Sequence, residues 1–88
     1  MTEEIRKGLL EFCNRKEPFL THNHMYATDL SDGTATVVLP MCEDSLNRWG
    51  GAHGGILFSL CDVATGMAIM TLRQEMVVTV NASIDYLA

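Results

Sequence analysis

The feature that most constrains this chain is the apolar run over residues 54–72, which contains one carboxylate, Asp62, and no basic side chain. The run is too long for a typical strand and is rich in leucine, methionine and alanine, so it predicts a helix from His53 to about Arg73. A carboxylate inside an apolar helix is costly to bury without a partner or a task. The glycines at its start leave backbone N–H groups bare. Together these features predict a functional site.

The predicted helix has two unequal faces. Bulky residues recur at helical spacing on one face, at Ile56, Leu60, Val63, Ala64, Met67 and Thr71. Small or polar residues form a stripe on another face, at Gly55, Ser59, Asp62 and Gly66. We expect the bulky face to enter the core and another part of the protein to approach the stripe closely.

Upstream of this helix, the sequence predicts a second helix and a hairpin. Residues 2–16 are amphipathic, with Thr2 as the N-cap and Pro18 as the residue that ends the helix. Two short segments, Met25–Leu30 and Thr34–Leu39, flank an Asp-Gly pair, which is typical of two antiparallel strands joined by a tight turn.

The remaining segments predict a loop and a third strand. Residues 42–52 are loop, whereas Val77–Leu87 alternates and should cover the helix with Val78, Val80, Ala82, Ile84 and Tyr86. Three strands and one amphipathic helix give little cover to so apolar a helix. We therefore expect one domain over residues 1–88 that either lacks later strands or is covered by another subunit.

Composition narrows the class of protein. A net charge of -5 argues against nucleic-acid binding and offers no polybasic membrane surface. The acidic N-terminus lacks the pattern of a secretory signal, and three scattered cysteines suit reduced thiols, so a cytoplasmic location is expected. The apolar run approaches the length of a membrane span, but a carboxylate at its midpoint argues against one.

The motif Asn47-x-x-Gly50-x-x-His53-Gly54-Gly55-x-x-x-x-Leu60-x-Asp62 resembles the signature of hot-dog-fold acyl-CoA thioesterases. These form the 4-hydroxybenzoyl-CoA thioesterase superfamily, and the resemblance is strongest to its phenylacetate-degradation-type branch. It implies an α+β fold, an antiparallel sheet wrapped around a central helix, here truncated after the third strand. It also implies acyl-CoA hydrolysis in a homodimer or homotetramer with active sites between subunits. No metal or redox cofactor is required, since coenzyme A is part of the substrate.

Two residues are assigned to the central chemistry. Thioester hydrolysis needs donors at the carbonyl oxygen, and the Gly54 N–H at a helix N-terminus suits that task. Asp62 is assigned as general base or nucleophile, because apolar surroundings are expected to raise its pKa and basicity. Eight residues of helix separate the two by about 12 Å, too far for one carbonyl and its water. One subunit must supply Gly54 and another Asp62.

Supporting roles are assigned to further residues. The Asn47 amide could hold the thioester or the water, and His53 could fix the turn or donate toward the carbonyl. The resemblance places Thr79 where relatives often carry a hydroxyl that assists the water. Substrate binding is assigned to Gly55, Trp49 and Ser59.

Other interpretations remain open at this stage. Asp62 could be a structural carboxylate that is capped by Ser59 or Thr65, and the scaffold could bind acyl-CoA without hydrolysing it. The chain could also be an inactive structural fragment. His22 and His24 would place both rings on one side of an extended segment, as metal ligands do. Without a matching cysteine or carboxylate cluster nearby in sequence, we expect no metal site.

Overall fold

The N-terminal helix ends at Lys16, as predicted, and is followed by a second helix that was not predicted. In the computed structural model, which describes residues 1–87, helix α1 spans Glu3–Glu11 and continues as a π-helical turn over Phe12–Lys16. The Thr2 hydroxyl accepts the N–H of Ile5 at 3.1 Å, as expected of an N-cap. The helical run ends at Lys16, before Pro18, as predicted. Pro18 also begins a short helix, α2 (Pro18–His22), because the first helical position needs no N–H donor.

The predicted hairpin is confirmed. Strand β1 (Tyr26–Ser31) pairs antiparallel with β2 (Thr34–Val38), and Gly33 in the turn has φ +81, which favours glycine. The pairing is irregular between Ala27 and Asp29. The Asn14 side chain donates to the carbonyl of Ala27 at 2.9 Å and accepts its N–H at 2.7 Å, so both backbone groups of Ala27 beside the irregularity have a partner.

The long helix α3 spans Gly54–Arg73, as predicted, and its bulky face packs on the hairpin. Thr71 is buried and joins the two elements directly, because its hydroxyl accepts the N–H of Gly33 at 2.8 Å and donates to the carbonyl of Ala68 at 2.6 Å. The buried hydrophobic core consists of Cys13, Leu20, Met25, Ala27, Leu30 and Met67. Ile56, Leu60 and Val63 of α3 pack against it. An antiparallel sheet on a long central helix is the α+β hot-dog arrangement that the sequence predicts.

The predicted third strand is wrong for the described residues. After α3 the chain turns at Gln74, and residues 75–87 run back along the helix without pairing as a strand. Val78 and Val80, expected to cover the helix, are 84% and 94% exposed. A strand needs neighbouring N–H and C=O groups, and within residues 1–87 no strand lies beside this segment. Ala88, the last residue of the predicted domain, lies outside the described residues.

Helix α3 also has the length and apolar composition of a membrane span, alone among the helices of residues 1–87. A core helix of a soluble protein passes the same test. One face of α3 packs on the hairpin, and Asp62 lies near its midpoint, where a charge is costly in lipid. The absence of a membrane span stays a prediction.

Candidate active site

The first part of the motif builds the loop that leads into α3. The side-chain carbonyl of Asn47 accepts the N–H groups of Trp49 at 2.9 Å and Gly51 at 3.1 Å, and a backbone bridge between Leu46 and Ala52 closes the loop. Gly50 has φ +84, in the left-handed region that favours glycine. The Asn47 amide, predicted to hold the thioester or water, is therefore engaged by its own loop in this structure.

His53 is the N-cap of α3. Its Nδ1 accepts the N–H of Gly55 at 2.9 Å. Its backbone carbonyl accepts the N–H groups of Ile56 at 3.1 Å and Leu57 at 3.2 Å. The structure thus gives His53 the turn-fixing role, one of the two that the sequence left open.

One backbone N–H at the start of α3 is not hydrogen-bonded by the residues that cap the helix. Within residues 1–87 the N–H of Gly54 makes no hydrogen bond, whereas those of the next three residues are all satisfied. A bare N–H at a helix N-terminus can polarise a carbonyl oxygen, since the helix dipole adds to its positive potential. The motif therefore leaves the N–H of Gly54, the donor that the sequence analysis assigns to the carbonyl oxygen, without a partner among residues 1–87. The N–H of Gly55 is already bonded to His53.

Tyr86 lies against the start of α3. Its hydroxyl donates to the carbonyl of Gly54 at 2.5 Å, and a Cβ added to Gly54 would lie 3.2 Å from that hydroxyl oxygen. This close approach is at Gly54, which does not belong to the predicted stripe of small residues. Gly66 of that stripe faces open space among the described residues, and the Ser59 hydroxyl donates to the carbonyl of Gly55 at 2.9 Å.

Asp62 contacts Thr79. The carboxylate is half-buried, and its Oδ1 accepts the Thr79 hydroxyl at 2.5 Å. The two hydroxyls that were expected to cap Asp62 locally, those of Ser59 and Thr65, donate instead to backbone carbonyls. The Asp62 carboxylate is therefore oriented by Thr79, which lies outside the helix. A structural carboxylate capped by hydroxyls of its own helix would not require this contact.

Asp62 and Thr79 line the same groove. It has a volume of about 290 Å³ and lies between α3 and the segment that runs back along it. Its lining residues are Phe58, Cys61, Asp62, Thr65, Thr79, Asn81, Ala82, Ser83 and Ile84. The other predicted site residues do not line it: they are Asn47, Trp49, His53, Gly54, Gly55 and Ser59. Trp49, assigned to substrate binding, is 84% exposed.

The structure adds Glu17, a carboxylate that the sequence analysis did not assign to the site. Glu17 lines a wider groove of about 780 Å³ that also includes Asp62, and burial raises the pKa of Glu17. Burial and the charge of Glu17 raise the pKa of Cys13 to about 11, so this thiol is a poor nucleophile. Only the tertiary fold brings Glu17 to α3, and no local sequence signal marks it.

Comparison with known proteins finds a family model that matches part of the chain and a similar protein. The sequence model of the family described as Thioesterase superfamily matches residues 50–88, which include the glycine pair, Asp62 and Thr79. The relative named “Putative esterase SSO2140”, from Saccharolobus solfataricus, is 29% identical over 86 residues, which are 97% of this chain and 61% of the relative.

A solved structure is similar as well. The conserved protein PA5202 from Pseudomonas aeruginosa superposes with a TM-score of 0.62 and 39% sequence identity. The similarity covers 64% of this chain and 45% of that protein. The chain thus spans less than two thirds of the length of either protein. The comparisons agree with the hot-dog arrangement and show similarity to a thioesterase family and to a protein named as an esterase.

The role of His53 as a helix cap can be tested by stability. His53→Ala removes the acceptor for the N–H of Gly55 and should lower the free energy of unfolding by about 1 kcal/mol. His53→Asn retains a side-chain acceptor and should stay close to the original stability. Urea denaturation followed by circular dichroism measures both. An equal loss of stability in the two variants would contradict the capping role.

Proposed function

We propose that this chain forms part of an acyl-CoA thioesterase, which hydrolyses a thioester to a free acid and coenzyme A. The observation that carries the proposal is the Asp62 carboxylate, held by the Thr79 hydroxyl at 2.5 Å in a groove beside an apolar helix. The match of residues 50–88 to the thioesterase superfamily supports a thioester as the substrate.

The proposed chemistry divides between two groups. The Gly54 N–H donates to the thioester oxygen, where negative charge develops as the carbonyl carbon becomes tetrahedral. Asp62 either takes a proton from the attacking water or attacks the carbonyl carbon itself. The C–S bond then breaks, and the sulfur of coenzyme A leaves with the electron pair and is protonated. In the direct-attack route, water hydrolyses the acyl-Asp62 anhydride in a second step.

The proposed active site needs two copies of the chain. Gly54 and Asp62 are eight residues apart on the unbroken helix α3, a separation of about 12 Å along its axis. A reacting carbonyl must lie within about 3 Å of both its donor and its attacking group. We therefore infer a homodimer or homotetramer in which Gly54 of one subunit faces Asp62 of another.

Thr79 is proposed to orient Asp62. A hydroxyl that donates to one carboxylate oxygen leaves the other oxygen available for water or substrate. Asn47 and His53 are proposed to shape the entrance loop, and Trp49, which is highly exposed on that loop, is proposed to contact substrate across the subunit interface. Ser59 and Gly55 would line the same approach.

The finer features of the proposal rest on the motif. Its spacing supports the phenylacetate-degradation-type branch of the 4-hydroxybenzoyl-CoA thioesterase superfamily, and Phe58 in the groove is compatible with an aromatic or a medium aliphatic acyl group. No metal or redox cofactor takes part in the proposed steps. A cytoplasmic location is proposed from the three scattered cysteines, which suit reduced thiols.

A non-catalytic acyl-CoA-binding domain is the second candidate. The observation that favours it is the engagement of the Asn47 amide and of His53 Nδ1 by the loop, which leaves these atoms unavailable to a reacting group. Such a domain would bind an acyl-CoA without releasing thiol. A thiol-release assay over a panel of aromatic and aliphatic acyl-CoA esters separates the two candidates.

The central role of Asp62 predicts a loss of activity. Asp62→Asn keeps the shape of the side chain but removes the base, so thiol release should fall by about 100-fold or more. Cys61→Ser, a change to a neighbouring residue of the same groove, should retain most of the activity. Circular dichroism and gel filtration check that both variants keep fold and assembly. An unchanged rate for Asp62→Asn would overturn the assignment.

The role of Thr79 predicts a difference between two conservative variants. Thr79→Val removes the hydroxyl and should lower kcat about tenfold or more with little change in KM, because a hydrogen bond to the charged carboxylate is lost. Thr79→Ser restores the donor and should restore most of kcat. Equal activity of the valine and serine variants would show that the hydroxyl does not assist Asp62.

A further inference from the structure

Three side chains with metal-ligating atoms lie together outside the proposed active site. They are His24, between α2 and β1, and Cys42 and Asp44, in the segment that follows β2. One ligand atom from each lies within 4.8 Å of the others. His24 and Asp44 are exposed and Cys42 is half-buried, so an ion could reach all three from solvent.

The distances suit a tetrahedral ion. His24 Nε2 and Asp44 Oδ2 are 3.3 Å apart. Two N or O ligands at 2.0–2.2 Å from a tetrahedral Zn²⁺ are separated by roughly 3.3–3.6 Å. The third atom, the sulfur, lies within 4.8 Å of the other two and needs a shift of at most about 1.2 Å to reach its own expected separation of about 3.6 Å, within the range of a side-chain rotation.

The donor set also selects the ion. A thiolate, an imidazole and a carboxylate together suit Zn²⁺, whereas Mg²⁺ and Ca²⁺ prefer oxygen ligands alone. The thiolate and the carboxylate supply two negative charges, which balance the charge of the ion. Three protein ligands leave the fourth position for water or another donor.

We propose that His24, Cys42 and Asp44 bind one Zn²⁺. The sequence argument against a metal site considered His24 together with His22, but His22 lies in α2 and does not join the cluster. The fold instead supplies the cysteine and the carboxylate that were missing nearby in sequence. The ion would tie the α2–β1 connection to the segment that leads into the loop of Asn47.

Zn²⁺ binding at this site should affect the stability of the protein. The segment after β2 continues through the loop that caps α3, where the backbone carbonyl of Ser45 accepts the N–H of His53 at 2.9 Å. Ser45 is buried, and its hydroxyl lies 3.7 Å from the sulfur of Cys42. Binding at Cys42 and Asp44 would therefore hold the backbone that positions His53, and Zn²⁺ should raise the Tm of the protein.

The proposal can be tested on the reduced, chelator-treated chain. Titration with Co²⁺, a spectroscopic substitute for Zn²⁺, should give a thiolate-to-metal charge-transfer band in the near ultraviolet and visible bands of tetrahedral intensity, saturating at one ion per chain. Competition with Zn²⁺ should abolish both bands. Isothermal titration calorimetry with Zn²⁺ should give the same stoichiometry.

Variants with matched controls assign the ligands. His24→Asn suits the φ of +64 at this position, since asparagine tolerates the left-handed region, while it removes the imidazole. His24→Asn, Cys42→Ser and Asp44→Asn should each weaken Zn²⁺ binding about tenfold or more, and Cys42→Ser should remove the charge-transfer band. The controls His22→Asn and Cys61→Ser should bind as the original chain does. Absence of saturable binding, or equal weakening by the controls, would overturn the proposal.

Discussion

The packing of α3 on the β1–β2 hairpin fixes the position of everything else. Met67 and Thr71 are buried at this contact, and the Thr71 hydroxyl holds the N–H of Gly33 in the hairpin turn at 2.8 Å. Each buried apolar side chain contributes about 1.5–3 kcal/mol, so the bulky face determines how the helix rotates about its axis. Once that face lies on the sheet, the stripe that carries Asp62 points away from it. The position of the groove at Asp62 therefore follows from the packing of another side of the same helix.

The motif that leads into α3 acts mainly through the backbone. Asn47 and Gly50 shape a closed loop, and His53 caps the helix through its imidazole and its carbonyl. The result is that one N–H, that of Gly54, has no partner within residues 1–87. The N–H groups of the next three residues are already hydrogen-bonded. Among the first four residues of α3, the Gly54 N–H is therefore the donor left for a carbonyl oxygen. The spacing of the motif is thus explained by helix capping as well as by chemistry.

Local patterns allowed much of the fold to be predicted. The Asp-Gly turn specifies the hairpin, and the long apolar run specifies α3 nearly to the residue. The strand predicted over residues 77–87 was wrong because alternation describes one segment, whereas strand pairing depends on a neighbour elsewhere. The short helix at Pro18 was not predicted, because a proline that follows the end of one helix can also begin another.

The candidate site could be predicted only in part, because several of its contacts join segments that are distant in the sequence. The family resemblance assigned Thr79 a hydroxyl that assists the water, but the hydrogen bond from Thr79 to Asp62 was not predicted and has no signature in local sequence. Glu17 beside the Asp62 groove, and the approach of Cys42 to His24, depend on contacts between segments that are distant in the chain. Periodicity and capping rules describe neighbours along the sequence, so they do not reveal such groups.

The central claim, that Gly54 and Asp62 act together from different subunits, is tested most directly by a mixture of two inactive variants. Gly54→Pro removes the N–H, and proline suits this first helical position because His53 before it has ψ 132. Gly54→Ala adds a Cβ but retains the N–H, which controls for contact with Tyr86.

Gly54→Pro and Asp62→Asn chains, dissociated and reassembled in equal amounts, should form hybrid dimers with one intact site each. Random assembly then restores about a quarter of the original thiol-release rate, since half of the dimers are hybrids with half of their sites intact. Recovery near this fraction is the predicted result. Reassembled hybrids with no more activity than the separate variants would contradict the account.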